Sequence, residues 1–396
     1  MTGTGPGLSP GEAPEVYPER LRPRPLELAI GFPLGWDEEG SDLPRRRTLH
    51  PRQAIESVLR AALARPPCVV SFSGGRDSSA VLATAALVAR RDGLPLPLPV
   101  TLRFPEAPGS QEQGYQEEMI RFLGLPDWER IELTSELDMV GPVAQRHLRR
   151  HGVLLPPFAH FHVPVFERAA GGTVLTGLGG DETLTEGPLG RLRSGLFRRS
   201  SLRALAVAAA PSAVRRWLFV RRRPQEGYPW LLPEVEQEVL RRRNAWRAGV
   251  TDRWDTSLRV WLRTRYAAVR AASLGALARD AGAQVVNVFA EPTVVSGLAG
   301  HFGARGPVDR TAAVRELFGD VLPESVIVRR TKAFFDEAYV SDHTRDFVAR
   351  WTGQGVDPTI VDLDRLAAQW HSVRPRPGPL LLLQRAWLAE GLPSPS

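Results

Sequence analysis

Short apolar runs alternate with stretches of helical periodicity over the first half of the chain. Cys68 to Phe72, Leu98 to Phe104, Arg130 to Leu133 and Gly172 to Leu175 read as strands. Between and before them lie predicted helices: Pro51 to Ala64, with Ile55, Leu59, Ala62 and Leu63 on one face, the run Ala80 to Val88, Gln111 to Leu123, and Pro164 to Ala170. Leu26 to Phe32 reads as one more short strand. This alternation predicts an α/β fold with a doubly wound parallel sheet, in which ligands bind past the carboxyl ends of the strands. After about Gly187 the alternation stops and the chain becomes mostly helical in composition. The predicted organisation is a disordered Gly/Pro-rich N-terminus over 1–25, an α/β core over 26–190 and an Arg-rich helical half over 191–396. The stretch 50–390 forms one domain in this reading, with a linker around Pro224 to Pro233.

Composition narrows the class. Apolar residues make up 43% and charged residues 24% of 396 residues, as in ordinary globular proteins. Cys68 is the only cysteine, which excludes an internal disulfide framework and a cysteine-ligated zinc site, and it reads as a small buried hydrophobe. The most apolar stretch, Ala204 to Val220, is broken by Pro211 and Arg215-Arg216, so no membrane span is expected, and with no basic-then-apolar leader the expected location is cytoplasmic. Nearly every basic side chain is arginine; the only lysine is Lys332. The Arg-rich helical half, with Trp217, Tyr228, Trp230, Trp246, Trp254 and Trp261 interleaved, has three readings: an RNA-binding face, a face for an acidic peptide or partner protein, and a solvated basic face over a tryptophan-lined core. The third is preferred, and nucleic acid is disfavoured. The pairs His160/His162 and His147/His151 lack the further ligands of a catalytic metal site and read as structural, the second as a solvated helical face.

Chemistry concentrates in two glycine loops. The first, Ser73-Gly74-Gly75-Arg76-Asp77-Ser78-Ser79, follows a strand and opens a helix, so its N–H groups and the helix N-terminus favour an anion. The second, Thr176-Gly177-Leu178-Gly179-Gly180-Asp181-Glu182, follows the run Thr173 to Leu175. A Walker A lysine is absent. Ser-Gly-Gly-x-Asp-Ser instead resembles the signature of the PP-loop ATP pyrophosphatases, and in particular their asparagine synthetase branch. The second loop resembles that branch's Ser-Gly-x-Gly-x-Asp-Glu motif. Leu322-Pro323 followed by Arg329-Arg330-Thr331-Lys332-Ala333-Phe334-Phe335 resembles its Leu-Pro…Arg-x-x-Lys-x-x-Phe segment. A weaker match is Val288-Phe289-Ala290-Glu291, resembling the Pro-Phe-Leu-Asp segment beside the acceptor pocket.

The resemblance implies an AMP-forming, ATP-dependent amide ligase that adenylates a carboxylate and lets an amine attack it. It implies ATP held by Phe72, Ser73, Gly74, Gly75, Asp77, Ser78, Ser79, Leu102, Thr176 and Gly177, and Mg2+ shared by Asp77 and Asp181. Lys332, Asp77 and Asp181 are then catalytic, and Glu182, Glu291 and Arg329 face substrate. Two departures shape the expected substrate. Fewer than a hundred residues precede the first loop, so no glutaminase domain is expected. Leu178 stands where asparagine synthetases carry a glutamate that helps amination, and leucine cannot move a proton. Both point towards the β-lactam synthetase and lasso-peptide macrolactam synthetase branches, with a small-molecule or peptide carboxylate as substrate and partner proteins of a biosynthetic cluster. Ammonia-dependent asparagine synthesis, an RNA-modifying PP-loop enzyme and an inactive binding subunit are the alternatives.

Overall fold

The computed structural model describes residues 16–37, 49–107, 109, 112–186, 214, 227–249, 253–329, 336–372 and 375–390. Five parallel strands form one sheet: β1 Cys68–Ser71, β2 Leu98–Arg103, β3 Glu129–Glu132, β4 Thr173–Thr176 and β5 Gln284–Asn287. Their spatial order is β3-β2-β1-β4-β5. Register is continuous, with Val69 opposite Leu98 on one side and Val174 on the other. From β1 the chain winds outward through β2 to β3, then returns to β1's other side with β4 and β5. The direction of winding reverses between β1 and β4, the position where an open parallel sheet leaves a crevice at its carboxyl edge. Both glycine loops leave the sheet there.

Neighbouring residues of a strand point to opposite faces, and the two faces carry separate cores. Cys68, Val70 and Leu175 join the cluster built by the helices α2 (Pro51–Leu63), α3 (Arg76–Asp92) and α4 (Gln113–Leu123). Val69, Val100 and Val174 join the opposite cluster, under α6 (Val163–Glu167) and α10 (Arg265–Asp280). Between these lie α5 (Pro142–His151), α7 (Gly180–Thr183), α8 (Pro233–Gly249) and α9 (Trp254–Leu262). Beyond β5 follow α11 (Pro292–Phe302), α12 (Arg310–Phe318) and α13 (Glu324–Ile327). A third cluster, around Trp230, Phe347, Leu366 and Trp370, holds the later helices. The cysteine is buried, and burial pushes its thiol up to about 12. No described helix is long and apolar enough to cross a membrane.

The doubly wound α/β sheet agrees with the expected fold class, and four expectations need correction. Leu26 to Phe32 is not a strand: Pro25 to Ile30 forms a helix, α1. Pro25 takes the first turn, the Glu27 carboxylate accepts the Arg24 N–H at 3.0 Å, and Gly31 closes the helix in the left-handed region at φ 70°. A fifth strand, β5, lies within the stretch read as helical; it is four residues long, and its pattern is too short to announce itself. Residues 1–15 lie outside the described residues, but the rest of the segment expected to be disordered is packed: Tyr17 and Leu21 are buried, and the Tyr17 hydroxyl lies 2.5 Å from that of Ser273. The linker reading of Pro224 to Pro233 fails where the chain is described, because Trp230 is buried and its indole N–H donates to the Ala29 carbonyl at 2.7 Å. The arginine-dense run from Leu192 to Arg223 and Trp217 fall, apart from Val214, outside the described residues. Farther on, Arg241 and Arg242 both pair with Glu238 on their own helix.

Besides the Tyr17–Ser273 contact, a buried ion pair fastens the N-terminal segment to α10. Arg265 donates to Glu27 at 3.0 Å, with both side chains almost wholly enclosed, and Glu27 also accepts the Leu34 N–H. Removing Glu27 leaves the buried Arg265 charge to the neutral Arg20 and Arg22 carbonyls, which it also reaches. Glu27→Ala is therefore expected to cost about 3–5 kcal/mol of unfolding free energy, read as a lowered urea midpoint; a loss below about 1 kcal/mol would contradict this role.

Candidate active site at the switch point

The first loop is braced from within. Gly74 takes φ +84°, a conformation side-chain-bearing residues resist, and Gly75 caps α3. The Ser78 hydroxyl donates to the Gly75 carbonyl at 3.1 Å and accepts the Ser73 N–H at 3.2 Å, while the Ser73 hydroxyl accepts the Gly75 N–H at 3.3 Å. From outside, Gln116 on α4 donates to the Ser73 carbonyl at 2.9 Å, and Arg329 donates to the Gly74 carbonyl at 2.7 Å. Arg329 also pairs with buried Glu112 and lies 4.2 Å from the centre of the Tyr115 ring. The loop is thus held by the chain's own bonds at the start of α3, whose first-turn N–H groups have no intrahelical partner.

The second loop touches the first directly. A Cβ on Gly177 would stand 2.8 Å from the Ser78 nitrogen, and one on Gly180 would overlap the Asp77 carboxyl group. Gly179 adopts φ +97° and lies against Phe289 and Ala290, just past β5. Thr176 donates to the Asn287 side chain at 2.8 Å and accepts the Leu178 N–H at 3.2 Å. The expectation that these glycines admit a ligand is therefore refined: at Gly177 and Gly180 the close neighbour is the first loop.

Asp77 and Asp181 meet at one cation. Arg310, the first residue of α12, donates to both Asp77 oxygens at 2.7 and 2.6 Å and to Asp181 through its other terminal nitrogen. Asp77 is largely enclosed, and burial raises its pKa even with Arg310 beside it. Burial alone would lower the pKa of Arg310, but the two carboxylates outweigh it and raise it. Arg76 adds a second cation, whose NH1 donates to Thr311 at 3.3 Å; burial, then repulsion from Arg310, lower its pKa. Two carboxylates facing a common cation, all oxygen donors, fit the ligand preference of Mg2+.

The other sequence-derived candidates spread around this centre. Ser79 is fully enclosed, and its hydroxyl has no partner. Phe72 is buried in the core, while Leu102 is half-buried on β2. Glu182 is paired with Arg270 at 3.2 Å, and Arg270 in turn lies over the Trp261 and Tyr266 rings. Glu291, which caps α11, is half-buried with no side-chain partner among the described residues, and burial raises its pKa. Leu178 packs with the apolar cluster on the α6 and α10 face. Lys332 lies outside the described residues. Arg310 escaped the sequence reading, since nothing in the sequence sets it apart where arginine is so common; Arg76 and Gly180 lay in the recognised loops but were given no role of their own.

Neither histidine pair joins the site. His160 and His162 are enclosed, and burial pushes both down to about 4. His147 and His151 are not on a solvated face as expected: both are largely enclosed against Asp280, with His151 Nε2 at 2.5 Å from its carboxylate.

The chain matches the asparagine synthase family over residues 52–288, more than half its length, and it belongs to that family of ATP-dependent amide ligases. The matched span includes both glycine loops and ends before Glu291, Arg310 and Lys332. No curated protein matches the chain.

Because a side chain on Gly180 would overlap the Asp77 carboxyl group, Gly180→Ala must push that carboxyl group aside. The expected result is a stability loss of about 1–3 kcal/mol, read as a lowered thermal midpoint. A variant that melts like wild type would contradict the contact.

Proposed function

We propose that this member of the asparagine synthase family adenylates a carboxylate with ATP and passes the acyl group to an amine carried by the substrate, forming a lactam or macrolactam. The observation that carries the first half is the convergence of Asp77 and Asp181 at the open end of the phosphate-sized loop. In this reading the loop N–H groups and the start of α3 bind phosphate oxygens, and Arg76 supplies positive charge. Asp77 and Asp181 would hold Mg2+, which when bound neutralises phosphate charge. A substrate carboxylate oxygen attacks the α-phosphorus, the α–β bridging bond breaks, and pyrophosphate leaves with that electron pair. The amine then attacks the acyl carbon, AMP departs, and the amine's proton goes to a base. Lys332 is assigned to stabilising the charge that develops in both steps. Its sequence neighbourhood supports this, since Arg329, three residues earlier, is fastened to the loop.

The second half rests on Leu178 and Glu291. An apolar side chain packed at position 178 offers nothing to ammonium. Glu291 presents a half-buried carboxylate whose raised pKa makes it a better proton acceptor than an ordinary one. Glu291 is the base in this reading, and amide formation then fails as the pH falls through its raised pKa, where the carboxylate becomes protonated. Glu291→Gln should slow the amine step and remove that acid limb from kcat/KM. An unchanged acid limb would take the base role from Glu291.

The protein is to be incubated with Mg2+, ATP and peptides that carry both a free N-terminal amine and an Asp or Glu side chain. AMP, pyrophosphate and a product lighter by one water are expected. Asp77→Asn should lower turnover by roughly 100-fold or more, the scale seen when one charge-stabilising group is removed. ADP would overturn adenylation, and asparagine formed from aspartate and ammonium in preference to any cyclised peptide would overturn the intramolecular amine.

A further inference from the structure

Asp77 and Asp181 form a doubly negative pair, and among the described residues Arg310 bridges the two carboxylates, with Arg76 a second cation close by. Its guanidinium spans both carboxylates, using both oxygens of Asp77 at 2.7 and 2.6 Å and one oxygen of Asp181. The Nε–H is buried and has no hydrogen-bond partner among the described residues, and the side chain is about a quarter exposed. Arg310 thus retains an unmade hydrogen bond and is not locked in by burial. It also starts α12, with Asp309 accepting the Ala312 N–H at 2.7 Å, so its backbone is anchored while its long side chain is not.

We propose that Arg310 is a positioning residue that exchanges with Mg2+: its guanidinium bridges Asp77 and Asp181 and moves onto the phosphates when metal and nucleotide bind together. The inference rests on the nucleotide reading above. A divalent ion needs the same carboxylate oxygens at close range, and the lone pairs engaged by the guanidinium are those it would take. A metal ion alone must therefore displace Arg310 and leave a partly buried guanidinium without an acceptor, which is costly. A triphosphate removes that cost, because its oxygens accept the planar, multi-donor guanidinium well. Arg76, one residue before Asp77 and close enough to repel Arg310, reinforces the exchange. Its charge disfavours Arg310 where it stands and favours an anion between them. Metal and nucleotide are consequently coupled through one side chain, and each should bind poorly without the other.

Mn2+ binding to the full chain, followed by the electron paramagnetic resonance signal of the free ion, reads this directly without turnover. Without nucleotide, Arg310→Ala should bind Mn2+ more tightly than wild type, by about tenfold, an ordinary size for coupling between two ligands. With the non-cleavable analogue AMPCPP added, the wild-type protein should gain affinity for Mn2+ and Arg310→Ala should gain much less. Arg310→Lys, whose compact ammonium cannot span both acids, should fall between the two and guards against a folding defect in the alanine variant. Equal or weaker nucleotide-free binding in both variants would overturn the exchange and leave Arg310 a purely structural tie. Asp77→Asn separates this from the underlying reading: if that variant binds Mn2+ and AMPCPP as wild type does, the metal site itself is elsewhere.

Discussion

Asp77 occupies a slot that only a glycine backbone can close. Gly180 passes so near its carboxyl group that any side chain there would overlap it, and a side chain on Gly177 would crowd the Asp77–Ser78 peptide. That contact holds the two loops at one point, although they come from strands separated by about a hundred residues of sequence. It also dictates the electrostatics. A carboxylate enclosed this way is expensive to ionise, so a cation must stand beside it, and Arg310 does. Almost every other feature of the crevice follows from keeping the two loops and that cation in register. Gln116 and Arg329 hold carbonyls of the first loop, and Thr176 with Asn287 ties the second loop to β5.

The sheet brings these parts together by topology alone. Parallel neighbours present their carboxyl ends on the same edge, and the reversal of winding between β1 and β4 leaves that edge uncovered. The helical half supplies the remaining wall: α12 delivers Arg310, the cap of α11 delivers Glu291, and α10 delivers Arg270, which holds Glu182. One side of the crevice is therefore built from charged and glycine-rich loops, and the other from helix ends.

Much of this was legible from residue order. The apolar run at Cys68, the glycines after it and the repeat of that pattern at Thr173 are local signals, and local signals announced both loops and four of the five strands. What escaped depends on distant partners. β5 is four residues whose strand character comes from pairing with β4, and no short run carries that information. Pro25 to Ile30 is too short a run for its period to be read, and Pro25, the capping Glu27 and the left-handed Gly31 make it a helix. Arg310 carries no motif at all; its role appears only when α12 is placed over Asp77. The glycines of the second loop were recognised, but their purpose was assigned to a ligand when two of them first serve the packing of Asp77.

The central claim is that the crevice between β1 and β4 is a nucleotide site organised by Asp77, Asp181 and Arg310. A crystal structure of the protein with Mg2+ and AMPCPP tests it most directly. The account expects the phosphates over residues 73–77, the metal on Asp77 and Asp181, and the Arg310 guanidinium turned onto phosphate oxygens. A nucleotide bound elsewhere, or bound here with Arg310 still bridging the two carboxylates, would contradict it.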